Sequence, residues 1–141
     1  MTVTRERVLE TLEQQWRTYI SQYQALAPAA QADFLKRQGF PRFQDLLAHV
    51  IAWWDEGISV ISSVRDDPYF VCRELDTDAF NAEAVKQFGK FEEAEIFRRY
   101  EATRLKLLGL VGGLTEAVLN KPDVQDWLEA DVIEHYDEHA V

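Results

Sequence analysis

Apolar residues recur at intervals of three and four along most of this chain. Val8, Leu9, Leu12, Trp16, Tyr19, Ile20 and Tyr23 form the first such series, a spacing that brings side chains to one face of a helix. Thr4, ahead of Arg5, Glu6 and Arg7, offers a polar start, and Pro28 lies just past the end. A first amphipathic helix is therefore expected from Thr4 to about Leu26. Residues 27–42 hold Pro28, Gly39 and Pro41 around Phe34 and Leu35, and read as a connection with a helical turn or two inside it.

The second helix is expected from about Arg42 to Val64, where Phe43, Leu46, Leu47, Val50, Ile51, Trp54, Ile58 and Ile61 make a wide apolar face. It ends near Asp66 and Asp67, because Pro68 drives the residue before it out of the helical region. From Pro68 the pattern weakens. The stretch Leu75 to Asp78 supplies a cap for a short helix carrying Phe80, Ala84, Val85 and Phe88, which Gly89 closes. A third long helix follows from Phe91 to about Leu114. A fourth starts around Asn120 or Lys121, with Pro122 in its first turn, and runs almost to the end. No segment alternates as a strand does, and no repeat is present. The expected class is all-α: one domain over residues 1–141, a four-helix bundle with a short helical insertion between the second and third long helices.

Composition narrows the functions this fold can serve. A chain that is 47% hydrophobic and 12% aromatic has enough apolar surface to fold despite its 28% charged residues. Its net charge of -10 repels phosphate backbones and anionic lipid heads, so neither nucleic acid nor membrane is an expected partner. The longest apolar run, Leu46 to Trp54, is too short to span a bilayer. Cys72 is the only cysteine and cannot form an internal disulfide, and the charged N-terminal stretch has no apolar signal core. A cytoplasmic protein acting on a small molecule is expected, and apolar helix faces make a homodimer an expectation too.

The three histidines are the candidate chemistry. In the fourth helix the apolar line Val124, Leu128, Val132 continues into His135 and His139, so both rings point inward. His49 lies between Leu46 and Trp53 on one face of the second helix and is expected to be buried as well. Each buried imidazole nitrogen left without a partner costs roughly 1–3 kcal/mol, and a divalent metal satisfies one nitrogen on each ring at once. Three neutral histidines with open positions suit catalytic zinc, and nickel, iron or manganese also accept imidazole. Asp45 and Asp131, each one turn before a histidine, are the nearest acceptors for the rings' other N–H groups. Trp53 is a candidate pocket wall, and Glu56 or Glu95 a candidate base. Against this stands a plainer alternative, in which His135 and His139 are a solvated helix end favoured by the helix dipole, His49 bonds a backbone carbonyl, and Cys72 is a structural thiol.

Asp45-Leu-Leu-Ala-His49 with Val-Ile-Ala-Trp53-Trp54, and the ending Trp127-Leu128 through His135-Tyr136-Asp137-Glu138-His139, resemble the DinB-like (DinB/YfiT) metalloprotein superfamily. The His-Tyr-x-x-His ending and Asp78-Ala79-Phe80-Asn81 are similar to its ClbS/DfsB branch. The resemblance implies a four-helix bundle whose divalent metal, often zinc or nickel, is held at the positions of His49, His135 and His139. It also implies either a hydrolase or a transferase using a low-molecular-weight thiol on an electrophilic small molecule. The alternative function is a non-catalytic module that sequesters a ligand or simply dimerises.

Overall fold

The structure, a computed structural model, describes residues 2–141 and so leaves Met1 outside it. The described residues are helical with no strand. Helix α1 covers residues 5–24, with a π-helical segment at Thr11–Gln15 and a 3-10 turn at Trp16–Thr18. Thr4 caps it by accepting from the Arg7 amide, which satisfies one of the four free N–H groups of a first turn. Helix α2 is Pro28–Gln38, α3 is Phe43–Asp66, α4 is Thr77–Phe88, α5 is Glu93–Gly113 and α6 is the short Glu116–Leu119. Helix α7 covers residues 122–139, with a π-helical segment at Glu129–Glu134.

The four long helices close into a ring: α1 packs on α5, α5 on α3, α3 on α7, and α7 back on α1. Helix α4 lies against α3. The buried cluster runs through all four, from Val8, Leu12 and Trp16 through Leu46, Leu47 and Trp54 to Ile96, Tyr100, Val124 and Val132. No described helix is long and apolar enough to cross a membrane.

Two departures from the sequence expectations bear on the site. The stretch expected as a connection with a helical turn or two holds an 11-residue helix, α2. Pro28 opens it, and Gly39, at φ 79°, closes it in the left-handed region where a glycine carries no Cβ penalty. The second departure is the pair of π-helical segments. Four residues on a regular helix overshoot a full turn by about 40°, so the apolar line Val124, Leu128, Val132 would drift off the core. The wider turn at Glu129–Glu134 absorbs that drift. All three residues are buried, and so are His135 and His139 beyond them. Inward donors reach carbonyls in this segment: the Trp54 indole N–H donates to Asp131 O at 3.1 Å, and that of Trp16 to Val132 O at 2.9 Å. In α1, Arg104 donates to Leu12 O at 3.0 Å and Tyr100 donates its hydroxyl proton to Trp16 O.

Candidate metal centre

His49, in the second turn of α3, faces His135 and His139 in the last two turns of α7. The three rings form a triangle with centroids 4.9, 5.1 and 4.9 Å apart, and one ligand nitrogen from each lies within 4.8 Å of the others. All three side chains are buried. They line a cavity of about 400 Å³ whose other walls include Phe40, Trp53, Thr77, Asn81, Asp131, Glu134 and Glu138.

Hydrogen bonds orient two of the rings. His49 Nδ1 lies 3.1 Å from Asn81 Oδ1, which also accepts from the Trp53 indole N–H at 2.7 Å. His139 Nδ1 lies 2.7 Å from Gln38 Oε1. The third ring is less well served. His135 Nε2 stands 3.0 Å from His49 Nε2, while the buried His135 Nδ1 and His139 Nε2 have no hydrogen-bond partner. Burial drives the proton affinities down. His135 falls from 6.5 to about 3 through burial and then repulsion from His49 and His139. His139 falls to about 4 through burial and then His49. His49 is lowered by burial, with the Asn81 contact opposing. At neutral pH the site is therefore three uncharged imidazoles, the protonation state in which imidazole binds metals.

The acceptors expected from sequence are arranged otherwise. Asp45 does not serve His49: both its oxygens are taken by Arg42, at 2.7 and 3.0 Å. Asp131 is buried on the cavity wall, but its carboxylate makes no hydrogen bond to His135; it packs beside Gly57, where a Cβ would come within 2.7 Å of Oδ2. Burial and then Glu56 raise that carboxyl well above the ordinary range. Asn81 and Gln38, the residues that do hold the rings, sit on α4 and α2. Nothing in the local pattern of either helix marks them, since only tertiary packing brings them to the histidines. Trp53, the candidate wall, is half-buried at the cavity, with Phe80 and Trp127 against it at 4.3 and 5.9 Å.

The candidate bases are occupied elsewhere. Glu56 pairs with Arg73 and Glu95 with Arg98 and Arg99, and neither lines the histidine cavity. The half-buried Cys72 does not line it either, and burial and then Asp123 raise its thiol's proton affinity. Comparison with known proteins finds no matching family model, no matching curated protein and no matching solved structure.

Proposed function

We propose that His49, His135 and His139 bind a divalent metal, and that the protein hydrolyses a reactive electrophilic small molecule in the cavity beside it. The observation that carries this reading is the three-histidine cluster, in which His135 Nε2 stands 3.0 Å from His49 Nε2 and the buried His139 Nε2 has no partner. The unpartnered His139 Nε2 costs roughly 1–3 kcal/mol, and a cation shared by the three rings offsets that cost. The fit is close. Ligand nitrogens on a tetrahedral zinc stand roughly 3.3 Å apart; the nearest pair here is at 3.0 Å and all three fall within 4.8 Å, so small ring rotations suffice. Zinc and nickel are the favoured ions, and iron and manganese also accept imidazole. A DinB-like ancestry, on the motifs around His49 and His135 to His139, belongs to the same proposal.

Three protein ligands leave a coordination position open, which favours a reactive site over a closed structural one. A divalent metal so held supplies Lewis acidity and lowers the pKa of a coordinated water or thiol. The chain's own residues do the rest. Phe40 and Trp53 provide apolar walls, while Glu134 and Glu138 supply the charge, and no Lys or Arg lines the cavity. A neutral or cationic electrophile suits that field better than an anion. Hydrolysis is accordingly favoured over transfer from a carboxylate-bearing thiol such as glutathione, whose carboxylates would find no Lys or Arg here. Asp131, its proton affinity raised by burial, can hold a proton above the ordinary carboxylate range and pass it to a leaving group.

Elemental analysis of protein purified without chelators tests the metal. Roughly one equivalent per chain is expected, lost in His135→Ala; metal content indifferent to the substitution ends the proposal. A pair of ester or epoxide substrates differing only in charge then tests the chemistry, with turnover of the neutral member expected to exceed that of the anionic one.

A further inference from the structure

Resting on the metal reading, we infer that Asn81 and Gln38 are positioning residues that set the imidazole tautomers of His49 and His139, so that both rings present a bare Nε2 to the same point. The oxygen and nitrogen of a carboxamide have nearly the same shape, so their orientation must come from neighbours with a single hydrogen-bonding role. Both amides have such a neighbour. The Trp53 indole N–H can only donate, and it lies 2.7 Å from Asn81 Oδ1; that atom is therefore the oxygen. The same oxygen is 3.1 Å from His49 Nδ1, which must carry the proton. The Glu138 backbone carbonyl can only accept, and Gln38 Nε2 donates to it at 3.1 Å. Gln38 Oε1 then faces His139 Nδ1 at 2.7 Å, and this nitrogen too carries the proton.

A neutral imidazole has one N–H, so Nε2 is bare on both rings. His135 has no amide anchor. Its Nε2 stands 3.0 Å from the bare His49 Nε2 and carries its proton there, which leaves the Nδ1 without a partner. His135 is thus the one ring that changes tautomer when the site fills. Helices α2 and α4 lie outside the ring of long helices, and each contributes one amide to the site. Fixing the tautomer and angle of a ligand ring from behind is worth roughly 10–100-fold in metal affinity.

Long-range proton–nitrogen NMR of the metal-free protein reads the tautomers directly. His49 and His139 are expected as Nδ1–H and His135 as Nε2–H. Asn81→Leu is expected to shift His49 to a mixture of tautomers and weaken zinc binding about 10–100-fold. Asn81→Asp, with the same size and two acceptor oxygens, should keep the tautomer and bring the zinc affinity back to near that of the wild type, which a role in folding alone does not predict. Gln38→Leu should act in the same way on His139. Wild-type His49 or His139 protonated on Nε2 overturns the inference, whether or not any variant folds, and so does an unchanged His49 tautomer in Asn81→Leu. Wild-type protein that shows the expected tautomers but takes up no zinc supports the tautomer assignment and overturns the metal reading beneath it.

Discussion

Acid should unfold the metal-free protein through its histidines. An unfolded histidine titrates near 6.5, whereas in the fold burial holds His135 down to about 3 and His139 to about 4. The sign follows from the depressed values. The fold keeps these rings neutral, so their contribution is fully present above about pH 6.5 and is lost as the pH falls toward the folded values, because the unfolded chain takes up protons first. From about pH 6.5 to about pH 5, each ring that stays neutral in the fold costs about 1.7 kcal/mol, so the two together cost about 3 kcal/mol. That is a large share of a typical stability of roughly 5–15 kcal/mol. Asp131 works against this: its raised folded pKa makes the fold take up a proton before the unfolded chain does, which stabilises the fold as the pH drops. A double variant, His135→Gln with His139→Gln, retains Asp131 and removes the two rings, so the difference between the proteins isolates the histidines. Urea unfolding of chelator-treated protein, followed by tryptophan fluorescence at about pH 6.5 and about pH 5, supplies the four stabilities needed. If the variant loses as much stability as the wild type over that interval, the burial argument is refuted.

The same neutrality has a calorimetric signature. At about pH 6 three ordinary histidines would release roughly two protons on binding zinc, whereas these rings, already neutral, should release well under one; titrations in buffers of different ionisation enthalpy count them, and a release near two contradicts the lowered proton affinities. Gly57→Ala sets two effects against each other. Alanine improves the intrinsic propensity of α3 by up to about 1 kcal/mol, yet its Cβ would lie 2.7 Å from Asp131 Oδ2 and 3.4 Å from Trp127 Cε3, and crowding of that kind costs roughly 1–3 kcal/mol. Net destabilisation in urea, with Asp131 displaced, is expected; a variant stabilised by the full propensity gain would show that α3 and α7 are not this close. Trp54→Phe removes the indole donor to Asp131 O and leaves a small void, for a loss of roughly 2–4 kcal/mol, and unchanged stability would mean that the carbonyls of the π-helical segment do not need that donor.

The long helices and the three histidines were legible because their signals are local. A stripe at intervals of three and four announces a buried face, and histidines that continue it must follow it inward. The π-helical segment at Glu129–Glu134 was not legible as such, though its trace was present: two successive steps of four, Val124 to Leu128 to Val132, overshoot a regular helix. Asp45 lies one turn from His49, but Arg42, three residues before it at the N-cap of the same helix, engages both its oxygens. Asn81 and Gln38 could not be read locally. They lie 32 and 101 residues in sequence from the rings they touch, and an amide on a short helix looks like any surface position until the fold brings it to its partner. Helix α2 is faint in the sequence for a related reason: Pro28 and Gly39 are its start and stop signals, yet only Phe34 along it is buried, so it has little of the apolar periodicity that marks a helix.

The central claim is that His49, His135 and His139 hold one metal with a coordination position left open. X-ray absorption at the zinc edge of the loaded protein tests it most directly. Three imidazole nitrogens at about 2.0–2.1 Å and one light-atom ligand that exchanges with added small molecules are expected. A sulfur scatterer from Cys72, a closed set of four protein ligands, or zinc that remains bound after His139→Ala would contradict it.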